Sequence, residues 1–286
     1  MGTIGHQELI DSKFSELSTS VYNLSVLAGT DRLSYFLQDK QHTVLFLRSY
    51  DFPAHLETVD LVEQIRSVYL QDELLRQSYR RVSIGVANKK STLVPDRLYT
   101  KGEESTYLKN LVLEEHDFSL YSDHLEEMSV RNVFRLDGRL KNFIDSSFGA
   151  ASIFHQNSAL ILAFQKLAAS RAGHQLFVNI RHKSVQLFAF EQKQLLFCNS
   201  FDFQSSKDFI YYIMLAFDQL GLKPEVVPVV LSGQIAAQSE IYRLLYRYIR
   251  HLSMAPKPDY LQFGAAFDQL PPHFFFELYS LQLCGL

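Results

Sequence analysis

Apolar residues recur at every second position along successive short segments in two regions of the chain, residues 24–87 and residues 175–233. This period places the apolar side chains on one face of a β-strand. In each region, three such segments are followed by apolar residues at helical spacing and then by a fourth apolar run. The pattern predicts two copies of one α/β unit, each in the order strand, strand, strand, helix, strand.

The third predicted strand of each copy ends in a similar four-residue word. The two words lie 151 residues apart (200 minus 49) and read Ser49-Tyr50-Asp51-Phe52 and Ser200-Phe201-Asp202-Phe203. If the turn before the third strand is one residue shorter in the second copy, the second strands align as well. Leu33, Tyr35 and Leu37 then fall on Val185, Leu187 and Ala189. The alternative interpretation is coincidence, because this order of elements is common; we favour an internal duplication.

The first half of the chain divides into a leader and a first lobe. Residues 1–20 are predicted to be a leader that carries a short helix near residues 7–16. Residues 21–170 are predicted to form the first lobe. In this lobe, Ser91–Val94 follows the fourth strand after a Lys-Lys turn, so it is predicted to pair back on residues 82–88 as a hairpin.

The first lobe is predicted to contain an inserted subdomain, and the rest of the chain is predicted to form a second lobe. Residues at about 114–148 have no counterpart in the second copy, and their pattern predicts two strands and a helix. Residues 171–286 are predicted to form the second lobe. Its helix near residues 237–252 is predicted to face the core through Leu245 and Tyr248.

Composition and charge narrow the classes of function. The chain has 286 residues, 47% of them hydrophobic, and a formal net charge of −3. This balance argues against a nucleic-acid partner, which a basic domain would favour. The run Arg243, Arg247 and Arg250 beside two tyrosines is interpreted as an exposed helix face, with phosphate contact as the alternative.

Cysteine content and hydropathy predict the compartment. Cys198 and Cys284 are the two cysteines in the chain, and they do not have metal-ligand spacing. The N-terminal residues do not have the pattern of a signal peptide, and no apolar run reaches the length of about 18 residues that crosses a bilayer. We therefore expect a reducing, cytoplasmic location and no transmembrane segment.

The duplicated unit resembles the actin-like ATPase superfamily, which has a duplicated ribonuclease-H-like fold and includes actin, sugar kinases and platform proteins of bacterial pilus machines. The two Ser-Tyr/Phe-Asp-Phe words, together with Thr92-Leu93-Val94-Pro95 and Leu231-Ser232-Gly233, resemble an uncharacterised bacterial family with that fold. The resemblance covers most of residues 21–286. It implies two lobes, each with a mixed sheet, and ATP as the candidate cofactor between them.

In this superfamily the hairpin turn after the first strand of each half carries an Asp-x-Gly pattern. The resemblance implies that the carboxylate holds the magnesium shell and that glycine lets backbone N–H groups approach phosphate. In this chain, Leu27 occupies the first aspartate position and is followed by Gly29-Thr30-Asp31, while Asn179 occupies the second. Arg181 stands where the second glycine is expected, so neither turn keeps the full pattern.

The candidate cleft residues come from three segments. The Gly-Gly pair that contacts adenosine in the superfamily corresponds to Gly233-Gln234, so one glycine remains. Asp31 either shapes its turn or serves as a displaced metal ligand, and Arg181-His182-Lys183 is either a solvated turn or an anion site. The candidate residues for the cleft are Gly29, Thr30, Asp31, Arg181, His182, Lys183, Ser232, Gly233 and Gln234.

Two functions follow from these turns. The favoured one is a non-catalytic scaffold or partner-binding protein with degenerate nucleotide motifs, for which no cofactor is expected. The alternative is a nucleotide-binding protein or weak ATPase or kinase-like enzyme with rebuilt phosphate loops. No metal site and no catalytic residue is predicted in either case.

The C-terminal segment is apolar on more than one face. It is predicted to be a helix over about residues 271–284 that packs on the second lobe. The alternative is a surface for a protein partner or a homodimer, because large apolar patches on a surface mark docking sites. That surface would consist of Phe274, Phe275, Leu278 and Leu281.

Overall fold

The computed structural model describes residues 6–52, 58–109 and 117–285. The strands are β1 (His6–Ile10), β2 (Asn23–Gly29), β3 (Arg32–Gln38), β4 (Thr43–Asp51), β5 (Arg81–Ala87), β6 (Ser91–Pro95), β7 (Phe118–Leu125), β8 (Val130–Asp137), β9 (Ser152–His155), β10 (His174–Arg181), β11 (Ser184–Glu191), β12 (Gln194–Asp202), β13 (Val229–Gly233), β14 (Leu252–Met254) and β15 (Gln262–Phe263). The α-helices are α1 (Thr58–Gln71), α2 (Glu104–Leu108), α3 (Gly138–Phe148), α4 (Gln156–Ala168), α5 (Ser206–Gln219), α6 (Glu240–Tyr248) and α7 (Phe276–Ser280).

The chain divides into two compact units whose boundaries differ from the predicted lobes. The first unit comprises Met1–Ala159, Asp259–Gln269 and Leu281–Leu286, and the second comprises Leu160–Pro258 and Leu270–Ser280. The sequence prediction assigned all of residues 171–286 to the second lobe. The difference arises because β15 pairs in parallel with β4 and thereby joins the first sheet.

The two main sheets have the same strand order. In the first unit the order is β1-β4-β3-β2-β5-β9, with β15 also paired to β4, and its run from β4 to β9 matches the second sheet, β12-β11-β10-β13-β14. In each matching run, the three strands that follow one another along the chain (β2–β4 or β10–β12) pair antiparallel, and the other two join in parallel. The predicted order of strands in each copy is therefore confirmed, and a fifth strand extends each sheet.

The strand register confirms the alignment that the sequence predicted. Leu27 pairs with Ser34, and Asn179 pairs with Gln186, so both members of the pair are displaced by the same 152 residues (179 minus 27 and 186 minus 34). The register also shifts at equivalent places, after Leu37 in β3 and after Ala189 in β11. A bulge repeated at the same position indicates that the two hairpins are copies of one design, because bulges are specific local features.

Alternating side chains build a separate core in each unit. In the first unit, Leu24 and Val26 of β2 pack with Ile65 of α1, and in the second, Leu176 and Val178 of β10 pack with Ile213 of α5. Each such side chain, once fully buried, contributes about 1.5–3 kcal/mol. A capping box begins α5, with Ser205 and Asp208 each accepting a backbone N–H.

The N-terminal segment was predicted wrongly as a helix. Residues His6–Ile10 form β1, which pairs antiparallel with β4 over Phe46–Tyr50. The outer edge of β4 offers unpaired backbone groups, and a strand satisfies a row of them at once, whereas a short helix would leave them open. Pairing with the open edge of β4 therefore overrides the local helical preference of this segment.

The predicted hairpin between β5 and β6 is also wrong. β6 pairs with β8 instead, and β8 pairs with β7, which makes a separate three-stranded sheet in the order β6-β8-β7. The two strands predicted near residues 117–122 and 130–136 are confirmed as β7 and β8, and the predicted helix that follows is α3. Residues 110–116, which include the start of the predicted insertion, lie outside the described residues.

The two C-terminal helices are shorter than predicted, and burial differs between them. α6 ends at Tyr248, which is exposed, so the prediction that Tyr248 faces the core is wrong. Phe275, Leu278 and Leu281 are buried within the chain, which leaves them unavailable as the partner surface considered above. No helix in the described part of the chain is long and apolar enough to cross a membrane.

Candidate functional site

The hairpin turn of the first unit is formed by the ends of β2 and β3. Ala28 and Leu33 make the last matched pair, and Gly29 lies buried just beyond it while Thr30 is exposed. The backbone oxygen of Asp31 accepts from Phe52 N at 2.8 Å, and Arg32 pairs with Asp51 at 3.0 Å. These contacts fix the turn against the end of the third strand.

Leu27, which the sequence analysis predicts to stand at the first superfamily aspartate position, has apolar surroundings. It is buried and lies opposite Gly85 of β5 in the parallel register. A Cβ on Gly85 would lie 2.4 Å from Leu281, so glycine is needed there to admit that side chain. No oxygen ligand for a metal ion comes from this position.

The corresponding place in the second unit is polar. Asn179 is fully buried and lies opposite Ser232 of β13, as Leu27 lies opposite Gly85. The Asn179 Nδ2 group donates to Gln186 Oε1 at 2.8 Å and to Glu277 Oε2 at 3.0 Å. Ser232 Oγ donates to Asn179 Oδ1 at 2.9 Å. The amide of Asn179 is thus held by three side chains of the same unit.

A buried ion pair completes this polar cluster. Arg181 Nη1 lies 3.3 Å from Glu277 Oε1, and the two side chains are 8% and 6% exposed. A carboxylate at this distance balances the guanidinium charge. His182 and Lys183 lie in the two-residue turn and are exposed. The structure therefore separates the three residues: Arg181 lies inside the unit beside an acid, while His182 and Lys183 point to its surface.

Gly233 closes the cluster on the side of β13. Its φ of +85° and the 2.2 Å distance from an added Cβ to the Ile180 carbonyl oxygen both require glycine. Gly233 N donates to the His273 carbonyl at 2.8 Å, and Gln234 N donates to the Ile180 carbonyl at 2.7 Å. The backbone N–H groups of Gly233 and Gln234 are thus both engaged by the protein.

Sequence reasoning found most of this cluster but missed three of its members, Gln186, His273 and Glu277. His273 lies next to Gly233 and its Nε2 bonds the Ile235 carbonyl at 2.7 Å. A usable signal was present for Glu277, because it is the one acidic residue in the apolar run from Phe274 to Leu283. A charge on a buried helix face predicts a buried partner. The pairing itself spans 96 residues (277 minus 181), so the sequence does not show it.

The described residues offer no ready metal centre. No group of three or more histidine, cysteine, aspartate or glutamate side chains is placed to hold a metal ion among the residues the structure describes. The buried polar side chains at the second hairpin and next to it are the amides of Asn179 and Gln186, the hydroxyl of Ser232 and the ion pair of Arg181 with Glu277. This set can fix a backbone geometry, but it presents no activated nucleophile.

Solved structures that resemble this chain share one fold. A protein from Bacteroides thetaiotaomicron VPI-5482 with an actin-like ATPase fold and unknown function is 19% identical, with a TM-score of 0.80 over 95% of this chain and 99% of that chain. The PilM-PilN type IV pilus biogenesis complex matches at 14% identity and a TM-score of 0.59, covering 91% and 97%. The ethanolamine utilization protein EutJ from Carboxydothermus hydrogenoformans matches at 9% identity and 0.51, covering 96% and 93%.

These likenesses confirm the predicted actin-like ATPase fold with its duplicated α/β units. A comparison with the curated proteins finds no match. The sequence profile of the family described as "Protein of unknown function (DUF3822)" matches residues 11–252, which is most of the chain. With the fold and the profile in agreement, this chain belongs to the DUF3822 family and has the actin-like ATPase fold.

Proposed function

We propose that this protein is a non-catalytic, partner-binding member of the actin-like fold. The observation that carries this proposal is the self-contained second hairpin, in which Asn179, Arg181 and Glu277 bind one another. In the superfamily this turn is the place for a carboxylate and for phosphate. Here the Asn179 amide and the Arg181 guanidinium are engaged by the unit itself, so a phosphate would have to displace an ion pair.

Turnover of ATP makes demands that these positions do not meet. Phosphoryl transfer relies on a placed magnesium ion and on positioned charge. Leu27 supplies no oxygen, and the Asn179 amide oxygen accepts from Ser232. Arg181 carries a permanent charge and cannot take a proton from water. Binding of ATP, if it occurs, is therefore expected to proceed without hydrolysis.

The first prediction concerns ATP. In phosphate-free buffer, a large excess of ATP with magnesium is expected to leave the melting temperature unchanged and to give phosphate release far below about 1 per second. A ligand present at about 100 times its dissociation constant would raise the unfolding free energy by about 2.7 kcal/mol, which a thermal shift detects readily.

Two variants test the ATP prediction further. The double variant Leu27→Asp/Asn179→Asp restores both carboxylates, and Asp31→Asn removes the acid closest to the first turn. Steady phosphate release by the unmodified protein that disappears in Asp31→Asn would contradict the proposal. It would assign to Asp31 the role of the missing carboxylate.

Partner binding is supported by the outer edge of β12. This nine-residue strand ends the second sheet, and within the described residues no other strand pairs with its outer side. Its counterpart in the first unit, β4, is covered by β1. Exposed edges invite strand addition and are usually blunted by lysine or proline, but this strand carries one charge, at Asp202.

We propose that a second copy of this chain occupies that edge, with β12 pairing antiparallel to β12. Such a pairing centred on Cys198 sets Leu195 against Phe201 and Gln194 against Asp202, so no like charges oppose each other. The interaction is isologous, as expected for a two-fold dimer. A different protein strand on the same edge is the other outcome that the test distinguishes.

The second prediction is that Leu196→Lys shifts the protein from dimer to monomer. Leu196 is 38% exposed on β12, and a lysine there opposes edge pairing. Val226→Lys, at a 67% exposed position in the same unit, serves as the control. Light scattering after gel filtration over a concentration series reads the result. A monomer at all concentrations in the unmodified protein would remove the second copy as occupant.

A further inference from the structure

One helix of the second unit presents a row of tyrosines and arginines to solvent. Its core side carries Leu245, which is fully buried. The other side of the helix, called the α6 face below, consists of Tyr242, Arg243, Tyr246 and Arg247. Tyr242 is half-buried at the border of the core, and the other three are exposed, Tyr246 to 68%.

The internal duplication supplies a comparison for this helix. α3 is the counterpart of α6, because each is followed by the strand that ends the matching run of its sheet, β9 or β14. Their core positions align at one offset: Ile144 and Phe148 pack in the first core, and Leu245 and Ile249 pack in the second, 101 residues later (245 minus 144 and 249 minus 148). At this offset the α6 face falls on Lys141, Asn142, Asp145 and Ser146.

The two equivalent faces differ in chemistry. On α3, Lys141 pairs with Asp145 one turn later, and the four residues carry no net charge. On α6, two stacked tyrosines with ring centroids 6.4 Å apart replace that ion pair, and two arginines replace Asn142 and Ser146. Since α3 occupies the same place in its unit without tyrosine or arginine at these positions, the fold does not require them.

The positive charges of this surface are not balanced by the unit itself. The guanidinium groups of Arg243, Arg247 and Arg250, the last of which follows the helix, make no ion pair, hydrogen bond or ring contact with any residue that the structure describes. Glu240 is the acidic residue of α6, and it lies at the start of the helix, where its Oε1 accepts from Ser206 Oγ at 2.6 Å. Three positive charges therefore remain for an anionic partner.

The composition of the α6 face favours a protein over the other anionic partners. Binding to nucleic acid draws on a basic domain, whereas this chain has a net charge of −3. A helix that binds a membrane surface inserts large apolar side chains, and none of the exposed residues of α6 is aliphatic. Tyrosine and arginine are, by contrast, the residues that contribute most binding energy at protein interfaces.

The spacing of the arginines indicates the shape of that partner. Arg243 and Arg247 are one helical turn apart, about 6 Å along the axis. Alternate residues of an extended chain share one face and are about 6.6 Å apart. Two acidic residues with one residue between them therefore match the two guanidinium groups, each of which can donate two parallel hydrogen bonds to a carboxylate. We propose that the α6 face binds an extended acidic segment of a partner protein, with carboxylates at alternate positions.

Fluorescence anisotropy of a labelled peptide that alternates glutamate with threonine, titrated with the full chain, tests the proposal. The peptide is expected to bind, and the same peptide with glutamine in place of glutamate is not. Arg243→Gln/Arg247→Gln is expected to weaken binding by about tenfold, because two exposed ion pairs are lost. Lys166→Gln/Arg171→Gln removes two exposed charges elsewhere in the second unit and is the matched control, expected to keep the affinity.

A second variant gives α6 the surface of its counterpart. It combines Tyr242→Lys, Arg243→Asn, Tyr246→Asp and Arg247→Ser, and it is expected to keep the melting temperature but to lose the peptide. Leu196→Lys on β12 is expected to bind the peptide normally, so this proposal and the β12 dimer fail independently. Undetectable binding of the peptide, or equal losses in the double variant and its matched control, would contradict the proposal. Tighter binding of an oligodeoxythymidine or of phosphatidylserine vesicles than of the peptide would replace the protein partner with nucleic acid or a membrane.

Discussion

Replacement of Glu277 by glutamine is expected to lower the free energy of unfolding by about 3–5 kcal/mol, although it changes a single atom. The variant keeps an oxygen that can accept from Asn179 Nδ2, but it removes the negative charge 3.3 Å from the Arg181 guanidinium. Both side chains are at least nine-tenths buried. Water therefore cannot replace the missing charge, and Arg181 must be desolvated without that compensation. Urea denaturation of the unmodified protein and the variant measures the difference.

The double variant Arg181→Met/Glu277→Gln removes both charges and is the decisive control. Removal of a whole buried ion pair is often neutral, so this variant is expected to recover most of the lost stability. Glu73→Ala breaks an exposed pair with Arg76, whose charged atoms lie 3.9 Å apart, and should cost at most about 1 kcal/mol. A loss below about 1 kcal/mol in Glu277→Gln would show that the pair is solvated, which would remove the main support for a closed second hairpin.

A second large effect is expected on the pH dependence of stability, and it comes from Asp123 and His155. Burial raises the pKa of Asp123 to about 6, against the opposing effect of the bonds it accepts from His155 N at 2.8 Å and Ser158 Oγ at 2.6 Å. Burial lowers the pKa of His155 to about 4. The neutral ring fits its site, because Nε2 meets the Asn88 carbonyl at 3.1 Å while Nδ1 accepts from Asn157 N at 3.1 Å.

These two shifts act on stability with opposite signs. The folded protein holds the Asp123 proton up to about pH 6, whereas the unfolded chain releases it near 3.8. The contribution of Asp123 to the stability of the fold therefore falls as pH rises from 3.8 to about 6. The unfolded chain protonates His155 near pH 6.5, but the folded protein does so only near pH 4. The contribution of His155 to the stability of the fold therefore rises as pH increases from about 4 to 6.5. Between pH 4 and 6 the two contributions are expected to cancel largely.

Asp123→Asn is expected to expose the contribution of His155. The variant keeps an acceptor for His155 N and Ser158 Oγ but has no titrating proton. Its stability relative to the unmodified protein should therefore increase by about 3 kcal/mol between pH 4 and 7. Denaturation midpoints at pH 4, 5, 6 and 7 give this difference, and Asp218→Asn on an exposed part of α5 is the control. A difference that does not vary with pH would show that Asp123 titrates as an exposed carboxyl does.

Much of the fold follows from local patterns in the sequence. Alternation over β2 to β4 and over β10 to β12 reports which residues face a core, and the capping box at Ser205 reports where α5 begins. Both signals depend on residues a few positions apart. For this reason the duplication and the equivalence of Leu27 with Asn179 could be predicted and are confirmed by the strand register.

The mistaken elements share a physical cause. The local pattern predicts that β6 is extended but does not name the strand that it joins, because every strand edge offers the same backbone groups. For β1 the local pattern predicted a helix, and only the pairing with the edge of β4 makes this segment extended. β1 covers β4, and β6 joins β8, as packing over the whole unit requires. The C-terminal apolar run likewise revealed its helix but not that Leu281 would pack against Gly85 of the first unit.

By itself, then, the sequence determined that the chain contains two related α/β units and where their hairpins turn, and it predicts which side chains stand in place of the expected carboxylates. The tertiary structure alone decided that Arg181 meets Glu277 and that Gln38 meets Gln282, pairs separated by 96 and 244 residues (277 minus 181 and 282 minus 38). Charge balance and hydrogen bonding act through space over a few ångströms. Contacts between distant segments therefore carry no periodic signal that a sequence pattern can show.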